Sequence, residues 1–139
     1  MERSLILIKP DAMLRGHGGA IIGRLQQSGL KLVALKMLHL DRELAGRHYA
    51  VHAGKPFYND LIKYITSTPI IAAVFEADDV IAKARKIMGA TDPAKAAPGT
   101  IRADFGINIQ ENAVHGSDSP ETAEKEIALY FTRKEIFSY

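Results

Sequence analysis

Apolar residues in this chain follow two rhythms, and the rhythm separates predicted strands from predicted helices. Residues 4–8, Ser-Leu-Ile-Leu-Ile, carry no charge and break at Lys9-Pro10-Asp11, the pattern of a buried strand ending in a turn. After Gly16-His17-Gly18-Gly19, segment 20–28 places Ile21, Ile22 and Leu25 at helical spacing, and Gly29 supplies the stop. Residues 30–40 are apolar with Lys31, Lys36 and His39 interspersed; they read as a strand, although that length also suits a helix. Asp41 predicts the N-cap of a helix to roughly His52, and Pro56 opens another to about Tyr64. Residues 69–75 form the second continuous apolar run, a strand. Asp78 predicts the cap of a helix over 79–88 that Gly89 ends. Residues 90–109 hold no period and contain Pro93, Pro98 and Gly99, which predicts a long functional or interface loop. A short strand then carries Val114-His115, and Ser119-Pro120 opens the last helix, to about Tyr130.

This order predicts an α+β fold, a ferredoxin-like βαββαβ sandwich whose antiparallel four-stranded sheet is covered by helices. Without repeats or a linker, residues 1–139 are expected to form one domain. The composition, 47% apolar and 24% charged, is that of an ordinary globular protein. There are no cysteines, so disulfides and thiolate metal sites are excluded. No apolar run approaches a membrane span and no signal-like core opens the chain, so the expectation is a cytoplasmic protein with no membrane partner. A net charge of +2 is too mild to require nucleic acid.

Candidate chemistry concentrates in Asn112-Ala-Val-His115-Gly-Ser117-Asp118-Ser119. Gly116 allows close approach beside the imidazole, and the helix opening at Ser119-Pro120 favours anions at its N-terminus. His115 therefore reads as a nucleophile that receives a phosphoryl group. Glu126, beside core-facing Ala123 and Ile127 on the same helix, is placed to accept the ring N–H, or else is simply solvated. Lys9, Arg85 and Arg102 are candidate cations for phosphate oxygens, with Thr91 adding a hydroxyl; each is equally a surface residue when taken alone. Phe57 offers a ring to a nucleobase or a core contact, and Tyr49 a hydroxyl near the histidine or plain packing.

Several other patterns fail. Gly16-His17-Gly18-Gly19 is not followed by Gly-Lys-Ser/Thr, so no P-loop is supported, and Ile21 breaks a dinucleotide fingerprint. His48 and His52 have the i, i+4 spacing of zinc ligands, but no third ligand lies near in sequence, so no protein metal site is assigned. Ser117 and Asp118 adjoin His115 too closely for a hydrolase triad.

Taken together, Leu-Ile-Lys9-Pro-Asp11, Lys-Pro-Phe57, Gly-Ala-Thr91-Asp-Pro, Gly99-Thr-Ile-Arg102-Ala-Asp-Phe-Gly and Asn112-x-x-His115-Gly-Ser-Asp-Ser resemble the nucleoside diphosphate kinases from Arg3 to Phe131. The resemblance implies ping-pong transfer of the γ-phosphoryl of a nucleoside triphosphate such as ATP to a nucleoside diphosphate, through phosphohistidine on His115. It implies phosphate contacts from Lys9, Arg85, Thr91 and Arg102, ribose contacts from Asn112 and Lys9, and base stacking on Phe57. Tyr49, Ser117 and Glu126 would support the nucleophile. Mg2+ would ride on the phosphates without a protein cage, and the chain would assemble as a homo-oligomer, a tetramer or hexamer built from dimers. Gln110-Glu111 stand where some relatives have Gly-Arg. The alternative from another class, a nucleic-acid-binding module of the same fold, is disfavoured by 7% aromatics and by the mild charge.

Overall fold

The computed structural model describes residues Met1–Tyr139. Four strands, β1 (Glu2–Ile8), β2 (Lys31–Leu38), β3 (Ile70–Ala77) and β4 (Val114–Gly116), form one sheet in the order β2-β3-β1-β4. Every pairing is antiparallel, the ferredoxin-like arrangement the element order predicts. β1 is central, and Leu5 to Ile8 are at most 1% exposed. An unbroken apolar run in a central strand means that both of its faces are covered. The helices α5 (Val80–Met88) and α7 (Pro120–Tyr130) both pack on it. No helix is long and apolar enough to cross a membrane.

The remaining helices are α1 (Pro10–Leu14), α2 (Gly18–Gln27), α3 (Arg42–His48), α4 (Tyr58–Ile65) and α6 (Ile101–Phe105). Two caps form where side-chain chemistry predicts them: Asp41 accepts from the Leu44 N–H, and Ser119 from the Thr122 N–H with Pro120 at the first helical position. Gly89 ends α5 with φ +86°.

The differences from expectation have local causes. Lys9-Pro10-Asp11 does not make a simple turn; Pro10 starts α1, where its fixed φ suits the first helical position. The helix expected to reach His52 ends at His48, followed by a 3-10 turn, Ala50–His52. The next helix starts at Tyr58, two residues after Pro56. The cap of α5 is Asp79, not Asp78; Asp79 is left-handed at φ 56° and offers no side-chain bond. Glu2 instead accepts from the Ile81 N–H at 2.9 Å, so the orphan donor of the helix is met from β1. Within 90–109 the structure adds a 3-10 turn, Pro93–Lys95, and α6, which is capped by Thr100 and anchored by fully buried Ile101. A helix of five residues is too short to show a period in sequence.

Candidate active site

The exit of β1 and the entry to β4 are stapled together, and the staple makes the site. Lys9 N–H donates to the Ala113 carbonyl at 2.8 Å, and the Ala113 N–H donates to Asp11 Oδ2 at 3.1 Å. The same carboxylate, through Oδ1, accepts from the Tyr64 hydroxyl. These bonds hold Ala113 left-handed at φ 73°, a conformation costly for a residue with a Cβ. The chain thereby turns Asn112 toward Lys9, and β4 pairs His115 opposite Leu7.

Lys9 is 9% exposed, and its ammonium donates to Asn112 Oδ1 at 2.8 Å. Burial, then the neighbouring Arg102, pulls its pKa down to about 8, partly opposed by Asp11. Asn112 in turn donates to the Thr91 carbonyl at 3.0 Å. Arg102 reaches the Gly89 carbonyl at 3.0 Å and the Val114 carbonyl at 2.9 Å, while its buried Nε–H has no partner. Burial and the charge of Arg85 lower its pKa to about 10. Lys9, Arg85, Thr91, Arg102, Asn112 and His115 all line one cleft of about 350 Å³.

His115 Nε2 lies 2.9 Å from Glu126 Oε2, as close as an ion pair but off the axis of an aligned hydrogen bond. Glu126 Oε1 accepts from the Ser117 hydroxyl at 2.7 Å, and Ser117 Oγ accepts from the Leu5 N–H at 3.0 Å. Burial pushes the Glu126 carboxyl up, but His115 and Ser117 outweigh it and hold the group below the usual range. A second cavity of about 470 Å³ is lined by His48, Tyr49, His115 and Glu126. Tyr49 packs edge-on to His48 with ring centroids 4.8 Å apart, and burial raises its hydroxyl to about 12. Phe57, 46% exposed, stands just before α4 with its ring 5.3 Å from His52; it is not a core residue.

The structure thus gathers every expected site residue except Phe57 at two adjoining cavities that share His115 and Glu126, with Ser117 joined to them through Glu126. Two residues escaped the sequence reading. Asp11 sits inside the quoted Lys-Pro-Asp string without a role, and His48 was matched with His52, its neighbour in sequence. In space His48 instead meets His115, ring centroids 4.7 Å apart.

A cleft lined by Lys9, Arg85 and Arg102 suits an anion with many oxygens, and an imidazole stands in its wall. A model of the family described as nucleoside diphosphate kinase matches residues 2–136. The chain is 55% identical to a nucleoside diphosphate kinase of Dehalococcoides mccartyi, over all of this chain and 98% of that protein. It superposes on the enzyme of Aquifex aeolicus with TM-score 0.95 at 45% identity, covering 98% of this chain and 99% of the other. For the Halobacterium salinarum enzyme, solved in complex with CDP, the TM-score is 0.96 at 45% identity, covering 99% and 92%. The chain belongs to the nucleoside diphosphate kinase family and is a nucleotide-binding phosphotransferase.

Proposed function

We propose that His115 is the nucleophile and that one domain, residues 1–139, carries the whole ping-pong cycle. The observation that carries this reading is His115 itself, held against Glu126 at 2.9 Å and lining the cleft of Lys9, Arg85 and Arg102. With the ring proton on Nε2 facing Glu126, Nδ1 keeps its lone pair. Nδ1 attacks the γ-phosphorus, the bond to the bridging oxygen breaks, and the nucleoside diphosphate leaves with that electron pair. The ring gains positive charge as the P–N bond forms, and Glu126, fixed by Ser117, stabilises it. An incoming diphosphate in the same cleft reverses the step. Lys9, Arg85 and the unpaired Nε–H of Arg102 hold phosphate oxygens, Thr91 adds a hydroxyl, and Asn112 with Lys9 holds the ribose. Phe57 stacks on the base, and Tyr49 closes the wall behind the histidine.

Among the carboxylates lining the cleft are exposed Asp118 and Glu126, which is already engaged. That donor set fits an ion brought in on the phosphates rather than one caged by the protein. Mg2+ carried this way supplies neutralisation of phosphate charge. The enzyme works in the cytoplasm, where nucleoside triphosphates are used. It assembles as a homo-oligomer built from dimers, tetramer or hexamer; edge strand β2 leaves Leu35 and Met37 exposed, as a strand covered by another copy would.

Incubation with γ-labelled ATP is expected to give an acid-labile, base-stable adduct that peptide mapping locates at His115, and added GDP removes it as GTP. His115→Ala is expected to abolish the adduct and turnover while nucleotide still binds. Label on a serine, or turnover without His115, refutes the assignment.

A further inference from the structure

We propose that His48, His115 and Glu126 form a binding site for a borderline-soft divalent cation of the Zn2+ class, and that filling it arrests phosphoryl transfer. One donor atom from each of the three lies within 4.8 Å of those of the other two. The imidazoles meet edge to face at 77°, and Glu126 Oε2 is already 2.9 Å from His115 Nε2. A tetrahedral ion with bonds of about 2.0–2.1 Å asks for donors about 3.3 Å apart. The three donors therefore have to close from within 4.8 Å to about that spacing when the ion binds. Two imidazoles, one carboxylate and a fourth position for water make a ligand set that zinc favours.

The outer contacts argue for the same assignment. His48 Nδ1 is 3.1 Å from the Tyr130 hydroxyl, which leaves Nε2 as its free donor. Glu126 Oε1 is held by Ser117, which leaves Oε2. Partners of this kind orient ligating groups in metal sites. His115 Nε2 is buried and, though 2.9 Å from Glu126 Oε2, makes no aligned hydrogen bond, so an ion between the two would meet both. The 470 Å³ cavity lined by all three residues is not lined by Lys9, Arg85 or Arg102, although it shares His52, His115, Asp118 and Glu126 with the 350 Å³ cleft. Mg2+, which demands oxygen ligands, does not compete here.

Arrest follows from proton placement and rests on the reading of His115 as nucleophile; the site itself does not. A neutral imidazole has one proton. An ion on Nε2 moves that proton to Nδ1 and removes the lone pair that attacks phosphorus.

The test titrates nucleotide-free, full-length protein with Co2+ in excess Mg2+. It is expected to bind one ion per chain with intensified visible absorption that Zn2+ bleaches. His48→Ala and His115→Ala should each weaken binding about tenfold or more, and Tyr130→Phe about tenfold. His115→Ala and Tyr130→Phe serve independently should His48→Ala fail to fold. Protein loaded with Zn2+ should take up no label from γ-labelled ATP until a chelator is added. Affinity unchanged in His48→Ala and His115→Ala, or lost instead in His52→Ala, overturns the site. Full labelling with Zn2+ bound at these residues overturns the arrest. Absence of label in metal-free protein strikes the nucleophile assignment and leaves the site standing.

Discussion

At the scale of single residues, charge and aromatic surface do separable jobs, and substitutions should separate them. Glu126→Gln keeps the shape and an acceptor but removes the negative charge that meets the developing imidazolium. The rate of His115 phosphorylation is therefore expected to fall about 100-fold, with nucleotide affinity unchanged, since Lys9, Arg85 and Arg102, the cations proposed to hold phosphate, are untouched. Rapid-quench kinetics beside equilibrium binding checks this; an equal loss in both would assign Glu126 a packing role. Phe57→Ala should do the reverse. A stacking ring carries about 1–3 kcal/mol per base and no hydrogen-bond code, so KM should rise about tenfold alike for ATP, GTP, CTP and UTP, with kcat little changed. A loss confined to purines would contradict it. Residue chemistry was largely legible: a histidine ahead of Gly-Ser-Asp-Ser and a glutamate one helix turn past core-facing Ala123 point to each other without coordinates. His48 was not, because its partner is 67 positions away in sequence and its nearest histidine, His52, faces Phe57.

Elements were legible where a local signal sets them and illegible where a distant one does. Asp41 and Ser119 cap their helices with their own side chains. The start of α5 is capped by Glu2 across 79 residues, and the short α6 exists because Ile101 is buried, which no periodicity announces. The junction of α5 with α6 also reaches the cleft, since the Gly89 carbonyl accepts a hydrogen bond from Arg102. A Cβ on Gly89 would stand 2.5 Å from Thr100 Oγ1 and 2.7 Å from Thr100 Cβ, at φ +86°. Gly99, at φ +89°, has nothing within 4 Å. Backbone strain alone costs roughly 1–3 kcal/mol, and overpacking adds roughly 1–3 kcal/mol. Gly89→Ala is therefore expected to lower stability by about 2–6 kcal/mol in urea unfolding, and to weaken nucleotide binding by displacing Arg102. Gly99→Ala should show the strain alone and bind nucleotide normally. Equal losses in the two would show that the Thr100 contact relaxes freely.

For the molecule as a whole, the groups gathered beside His115 shape its response to acid. Burial first, and the adjacent His115 second, lower the His48 pKa to about 3, against an ordinary value of 6.5. Glu126 opposes this only in part, while Lys9 and His52 add to it. Between those two values the unfolded chain binds a proton at His48 that the folded chain refuses, so folding stability rises with pH through that window and falls as acid is added. Glu126 acts in the same direction, because a carboxyl held low stabilises the fold only while it is ionised. His48→Gln removes one titrating group and leaves Glu126 in place. Between pH 4 and 6 the slope of unfolding free energy against pH should then flatten by up to about 1.4 kcal/mol per pH unit, the equivalent of one proton. Urea unfolding across that range measures it directly. A slope identical to that of the unsubstituted protein would mean that His48 charges freely in the fold, and that the cavity behind His115 is wet enough to solvate an imidazolium.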